Sequence, residues 1–159
     1  VQNDVTLLPA DIGDAPEVLV LQRCCWVTEA IANGTLDIPA LHEDLDEVRG
    51  WIRSAWVLRD GRRLVGAVRA TSRGSSWDIG RLMVAPDRRG AGLGGRLLRH
   101  AEAQAPASAV RLALFTGRRS AANLAMYERA GYFRVGGDDA VVHLEKPPAP
   151  VLRDAADLD

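Results

Sequence analysis

The sequence predicts a single α/β domain built on a mixed, largely antiparallel sheet flanked by helices, and two observations predict it. The first is size and balance: 159 residues, 47% hydrophobic and 26% charged, suit one core that needs no disulfide or metal staple. They argue against two large domains, a disordered chain or a membrane-embedded one. The second is the succession of hydrophobic periods along the chain, βααβββαβαββ, in which several strands follow one another across short turns and so fold back antiparallel.

The elements read in order as follows. Val5 to Leu8 is a short strand, and Pro16 opens a long helix on which Val18, Leu21, Cys25, Thr28 and Ala32 recur at spacings of three and four; Asn33-Gly34 ends it. Leu45 to Ile52 is a second, short helix. Ala55 to Arg59 and Leu64 to Ala70 form a hairpin about Asp60-Gly61. A third strand, Trp77 to Val84, is stopped by Pro86. Beyond Gly90 to Gly95 a helix carries Leu97, Leu98, Ala101 and Ala105 on one side, and Pro106 closes it. A strand at Val110 to Phe115, a helix from Ser120 to Ala130 capped by Ser120 and ended by Gly131, and strands at Tyr132 to Val135 and Ala140 to Leu144 complete the domain. The domain thus covers residues 1–146, and the composition breaks at Pro147, Pro148 and Pro150 into an expected flexible tail, 147–159.

Twenty basic residues against twenty-one acidic give a net charge of -1, so no global field draws the chain to nucleic acid or to an anionic membrane, and any anion site is local. The apolar runs are far shorter than the ~20 residues of a membrane span and no basic-then-apolar leader opens the chain, so the expected location is cytoplasmic. Cys24 and Cys25 are the only cysteines. Adjacent thiols strain a disulfide and supply too few ligands for zinc, so no metal site is expected and both are read as core or interface side chains. A homodimer is an expectation that no particular residue carries.

The informative stretch runs from Ile79 to Leu98: a strand, a glycine-rich turn and a helix start. Five of the six residues from Gly90 to Gly95 are glycine or alanine, which lets successive N–H groups converge on an anion at the positive end of a helix dipole. A plain turn does not require such a run, since each glycine at a helix start costs ~1 kcal/mol. Three phosphate patterns compete. Gly90, Gly92 and Gly95 fit G-x-G-x-x-G, but the segment lies mid-chain after a hairpin and no ribose-binding acid stands about twenty residues on, near Val110. Gly90 and Gly95 have P-loop spacing, yet Arg96 and Leu97 occupy the places of its Lys and Ser or Thr. The third pattern is Arg89-x-x-Gly92-x-Gly94, directly after Leu82-Met83-Val84-Ala85-Pro86.

That third pattern resembles the GNAT superfamily of N-acetyltransferases. A second block is similar as well: Asn123 and Tyr127, four apart, followed by Gly131-Tyr132, look like the superfamily's Asn-x-x-x-Tyr helix and Gly-aromatic strand entry. The resemblance covers Ile79 to Tyr132; the amino-terminal third, which in such proteins forms much of the acceptor pocket, matches only in outline. It implies acetyl-coenzyme A as co-substrate, without a metal, and a sheet that splays between the strands ending at Val84 and Phe115, where that co-substrate enters. The backbone of Leu82, Met83 and Val84 would pair with the pantetheine arm as an added strand. The N–H groups of Arg89, Gly90, Gly92, Gly94 and Gly95 would hold the pyrophosphate, and Asn123 would bond the pantetheine or a backbone group. Of Arg88, Arg89 and Arg96, only Arg89 fits the motif.

Thioester aminolysis needs a neutral amine, a polarised carbonyl and a proton for the departing thiolate. By resemblance Tyr127 is the general acid, with a plain core tyrosine as the competing reading. Asp78, which by period-two alternation shares a face with Leu82 and Val84, is the candidate base or else the structural partner of an arginine. His143 is its rival, and His100 is read as solvent-exposed. The acceptor is expected to be a small-molecule amine or a protein amine. Asp37, Glu43, Asp44, Asp46 and Glu47 form a local negative patch that suits a cationic amine or is a solvated face. The four tryptophans are read as core. The implied activity is acetyl transfer to a primary amine by direct attack; the alternative is a non-catalytic coenzyme A-binding sensor that keeps the glycine cradle alone.

Overall fold

A computed structural model describes residues 5–150. Seven strands form one sheet: β1 (Val5–Pro9), β2 (Ala55–Asp60), β3 (Arg63–Arg73), β4 (Ser76–Val84), β5 (Arg111–Gly117), β6 (Phe133–Gly137) and β7 (Val141–Lys146), in the order β1-β2-β3-β4-β5-β7-β6. Every neighbouring pair is antiparallel except β4 with β5. The helices are α1 (Ala15–Asn33), α2 (Pro39–His42), α3 (Leu45–Trp51), α4 (Leu93–Ala103) and α5 (Ala121–Arg129). The predicted mixed, largely antiparallel sheet is therefore the one found; the single turn of α2, opened by Pro39, is an addition. Residues 147–150 carry no regular structure, and the rest of the expected tail lies outside the described residues.

Helices cover the middle strands on both faces. Leu97 of α4 packs beneath Gly66, where a Cβ would come within 3.1 Å of it, and Trp77 donates its indole N–H to the Ala101 carbonyl at 2.8 Å. On the other face Val18, Leu21 and Cys25 of α1 and Val48 of α3 are buried against the sheet. Strand β3 is buried from Leu64 to Val68, the continuous apolar run expected of a strand covered on both sides. A fully buried side chain such as Leu97 or Val65 contributes about 1.5–3 kcal/mol relative to exposure.

Two local expectations change. The buried stripe of α1 does not continue to Thr28 and Ala32, which are exposed; it passes instead through Gln22, Cys25 and half-buried Glu29 and Asn33, because the last turns of α1 meet polar groups rather than the apolar core. Ser120 stands at the start of α5 but gives it no side-chain cap; its hydroxyl bonds the Glu29 carboxylate.

The parallel pair β4–β5 is short. Ser76, Trp77 and Asp78 face Arg111, Leu112 and Ala113, after which β4 runs on to Val84 and β5 to Gly117 without pairing each other. The expected splay is present, and it leaves β4 with a free backbone edge along Leu82–Val84. On its other edge β4 carries a bulge: Gly80 pairs with Arg69 and Met83 with Ala67, so Arg81 and Leu82 together oppose Val68, with Arg81 at φ 50. Opposed residues share a face, so Asp78, Gly80 and Met83 point one way and Val84 the other. Asp78 therefore does not share the face of Val84, because the extra residue reverses the alternation.

Candidate functional site

The glycine-rich turn is built from conformations that only glycine adopts easily. Gly90 and Gly92 sit at φ 79 and 77, and Gly92 occupies the N-cap of α4 without a side chain to satisfy the helix start. The first rung of the helix ladder is the Arg96 N–H to the Gly92 carbonyl at 3.1 Å. From Arg89 to Gly95 no backbone N–H finds a backbone acceptor among the described residues, so a run of donors is left open at the positive end of α4. Gly94 lies where a Cβ would stand 3.4 Å from Met126 Sδ and 3.8 Å from Val84 Cγ2, so the first turn of α4 closes on the end of β4 and on α5. The neighbouring arginines are mostly engaged: Arg88 pairs with Asp60, Arg63 binds Asp87 through two bonds of 2.7 Å, and Arg96 donates to the Val5 carbonyl at 2.7 Å. Arg89 is exposed and lies beside the Cys25 thiol, which donates to the Val84 carbonyl at 3.2 Å. Burial, chiefly, raises the pKa of that thiol. Cys24 is exposed.

Across the gap, Asn123 Nδ2 donates to Glu29 Oε1 at 3.2 Å and to Thr116 Oγ1 at 3.3 Å. Asn33 ties the same corner, donating to Ser120 Oγ at 3.1 Å and accepting from the Arg119 N–H at 3.1 Å. Glu29 and Asn33 are residues that sequence reasoning passed over; two polar side chains four apart at the end of an amphipathic helix were the signal. Tyr127, one turn beyond Asn123, is 7% exposed and lies edge-on to Tyr132 at 6.1 Å between centroids. Its hydroxyl makes no hydrogen bond among the described residues. Burial, and then the charge of Glu29, push its phenol well above the ordinary value of 10, so it is protonated at neutral pH.

Asp78 is drawn elsewhere. It accepts from Ser76 Oγ at 2.5 Å and pairs with Arg73 at 3.2 Å, at the closed end of the gap where β4 still has both neighbours. His143 is on the exposed face of β7 beside Phe115. His100 is not solvent-exposed as expected: it is half-buried against Trp56 with its Nε2 unpartnered, and burial, then the charge of Arg96, lower its pKa.

The face of β3 and β4 turned toward α1 and α3 carries a charged cluster. Arg81, projecting from the bulge, pairs with Glu43 at 2.9 Å and lies 5.8 Å from the Trp26 ring centre; Gln22 Nε2 donates to the same carboxylate at 2.7 Å. Burial alone would raise the pKa of Glu43, but the bonds from Arg81 and Gln22 overcome it and hold the carboxyl below its ordinary value. Arg69 lies over Trp51 at 5.1 Å. The expected negative patch is dispersed by these contacts: Asp44 and Glu47 form the capping box of α3, Asp46 pairs with Arg49, and Glu43 is neutralised by Arg81. Trp26 and Trp51, read as core, are half-buried and flank the two arginines.

The family model described as the acetyltransferase (GNAT) family matches residues 17–132. No curated protein matches the chain. Among solved structures, the PaiA N-acetyltransferase of Thermoplasma acidophilum in complex with coenzyme A superposes with a TM-score of 0.78 at 15% identity, over 91% of this chain and 99% of that one. The ribosomal-protein-S18-alanine N-acetyltransferase of Escherichia coli gives 0.72 at 15%, over 94% and 97%. N-acetylglutamate synthase of Neisseria gonorrhoeae, complexed with coenzyme A and N-acetyl-glutamate, gives 0.74 at 18%, over 94% of this chain but 36% of the synthase. At such identities the likeness is one of fold, whereas the family match spans both the glycine cradle and the Asn123–Tyr127 helix. The chain belongs to the GNAT acetyltransferase family.

Proposed function

We propose that this protein transfers the acetyl group of acetyl-coenzyme A to a primary amine by direct attack. The observation that carries the proposal is the continuity of two backbone surfaces that lack strand or helix partners: the free β4 edge at Leu82–Val84, with the Val84 carbonyl touched only by the Cys25 thiol, leads straight into the open N–H groups of Arg89 to Gly95. An extended amide chain pairs with the first and a pyrophosphate with the second. A β4 backbone N–H polarises the thioester carbonyl as the amine adds, and the C–S bond then breaks. Tyr127, protonated at neutral pH, gives its phenolic proton to the departing thiolate, and the proton that the amine nitrogen sheds as it becomes an amide returns to the phenolate, so the hydroxyl is restored and no other base is consumed. Asn123 and Glu29 hold the adjoining turn of α5. Asp78 serves structurally, because both of its oxygens are engaged by Arg73 and Ser76.

The test is thiol release from acetyl-coenzyme A across a panel of amines, with the acetylated product identified by mass. Transfer to one amine class is the expected result. Tight coenzyme A binding with no acetylation of any amine would assign the fold to cofactor sensing instead.

A further inference from the structure

The face of the sheet under α1 and α3 holds one guanidinium more than its carboxylates neutralise. Arg73 is matched by Asp78 and Arg81 by Glu43. Arg69 is half-buried and has no hydrogen bond or ion pair among the described residues. Glu43 is not free to serve it, being bonded by Arg81 and Gln22, with the Trp51 indole N–H also leaning toward it without a well-formed bond. Burying an arginine without a partner costs free energy that an apolar residue at the same place would not. The surroundings add to the cost: burial first, and then the charge of Arg81, weaken the hold of Arg69 on its proton. A planar donor fork, set over an indole and unmatched by any acceptor among the described residues, is half of a bidentate pair. Two arginines against one glutamate leave a single positive charge, which suits a monoanion.

The position is as informative as the charge. Arg69 stands opposite Gly80, and its guanidinium is 3.9 Å from where a Cβ on Gly80 would be, so the missing side chain leaves it open. Gly80 precedes Leu82, where the free edge begins, by two residues, at most about 7 Å along β4. That separation is on the scale of one small amino acid.

We propose that Arg69 receives a carboxylate of the acceptor, so that the substrate is a small amino acid and not a polyamine or a lysine of a folded protein. The inference rests on the acetyltransferase reading for its choice of ligand but is testable by binding alone. N-acetylated amino acids and their C-terminal amides, titrated as product-like probes in the presence of coenzyme A, would be followed by tryptophan fluorescence, since Trp51 and Trp26 flank the arginines. At least one acid should bind tenfold or more tightly than its amide. Arg69→Gln should bring that acid down to the level of its amide and leave coenzyme A affinity unchanged, while Arg69→Lys, which keeps the charge and loses the fork, should fall between. Acid and amide binding within twofold for every pair, or a preference that survives Arg69→Gln in a folded variant, would overturn the proposal, as would stronger binding of aminoalkyl phosphates. Turnover separates the two readings: acetylation of neutral amines without preference removes the carboxylate site and keeps the transferase, whereas an Arg69-dependent preference for acids with no thiol release keeps the site and removes the transferase.

Discussion

By sequence Tyr127 is the candidate acid and Asp78 either the base or the partner of an arginine, and the two stand in different surroundings. The tyrosine is buried near Glu29 with a hydroxyl that has no partner among the described residues, while the aspartate is occupied by Arg73 and Ser76 at the closed end of the gap. If the hydroxyl protonates the thiolate, Tyr127→Phe keeps the edge-on contact with Tyr132 and removes only the proton. Single-turnover acetyl transfer should then fall by roughly 10²-fold with cofactor affinity nearly unchanged; equal losses in both would make the hydroxyl a ground-state binding group. At this scale the sequence marks the cradle glycines, Arg89, Asn123 and Tyr127, because their motif depends on local spacing alone. Arg69 and Arg81 escaped notice, and Glu43 was read only as one charge of a negative patch, because their meaning lies in who pairs with whom across β3, β4 and the segment before α3, and pairing is a property of the fold.

The β4 bulge is the element that most changes the reading. Period-two alternation assigns every residue of a strand to a face, and one extra residue reverses the assignment beyond it. Glycine at position 80, inside an otherwise well-formed strand, was the available clue. The turn before α4 shows the opposite case, a conformation that the glycines announce. Gly92 lies in the left-handed region with open space around its missing Cβ, so Gly92→Val creates no clash; it strains the backbone by about 1–2 kcal/mol and swings the N–H groups out of convergence. Titration calorimetry should show coenzyme A affinity falling by tenfold or more, with a smaller change in melting temperature. Affinity retained in a folded variant would take the pyrophosphate away from this turn.

Across the whole molecule, the sheet is two wings, β1–β4 and β5–β7–β6, joined by the short Ser76–Asp78 ladder. The succession of elements and the splay between the strands ending at Val84 and Phe115 were legible, because hairpins declare themselves and the glycine-rich helix entry has its own local spacing; the place of β7 between β5 and β6 was not, because β7 reaches past β6 to pair with β5. What fastens the far end of the gap was not legible: α1 spans it, held to Val84 through Cys25 and to β5 and α5 through Glu29 and Asn33. Asn33→Ala removes the acceptor of the Arg119 N–H and a partner of Ser120. It should cost about 1–2 kcal/mol, read as a melting temperature lower by a few degrees, and should weaken coenzyme A binding along with it. Full affinity in the destabilised variant would show that the strap supports the fold but not the spacing of the wings.

A sheet interrupted in this way has four edges where an ordinary one has two. Exposed edges invite pairing with strands of other chains and are a source of aggregation. The outer edges, β1 and β6, meet solvent in the usual way, but the inner edge along Leu82–Val84 is recessed between α1 on one face and α4 on the other. A peptide strand, with side chains projecting above and below its backbone, would have to displace both helices to reach it. A slim polyamide without such branches slides in edgewise. The helices therefore sort visitors by cross-section, and backbone groups that would make an aggregation template on the surface become, on the proposed reading, a slot shaped for the slim amide arm of the co-substrate and closed to a peptide strand.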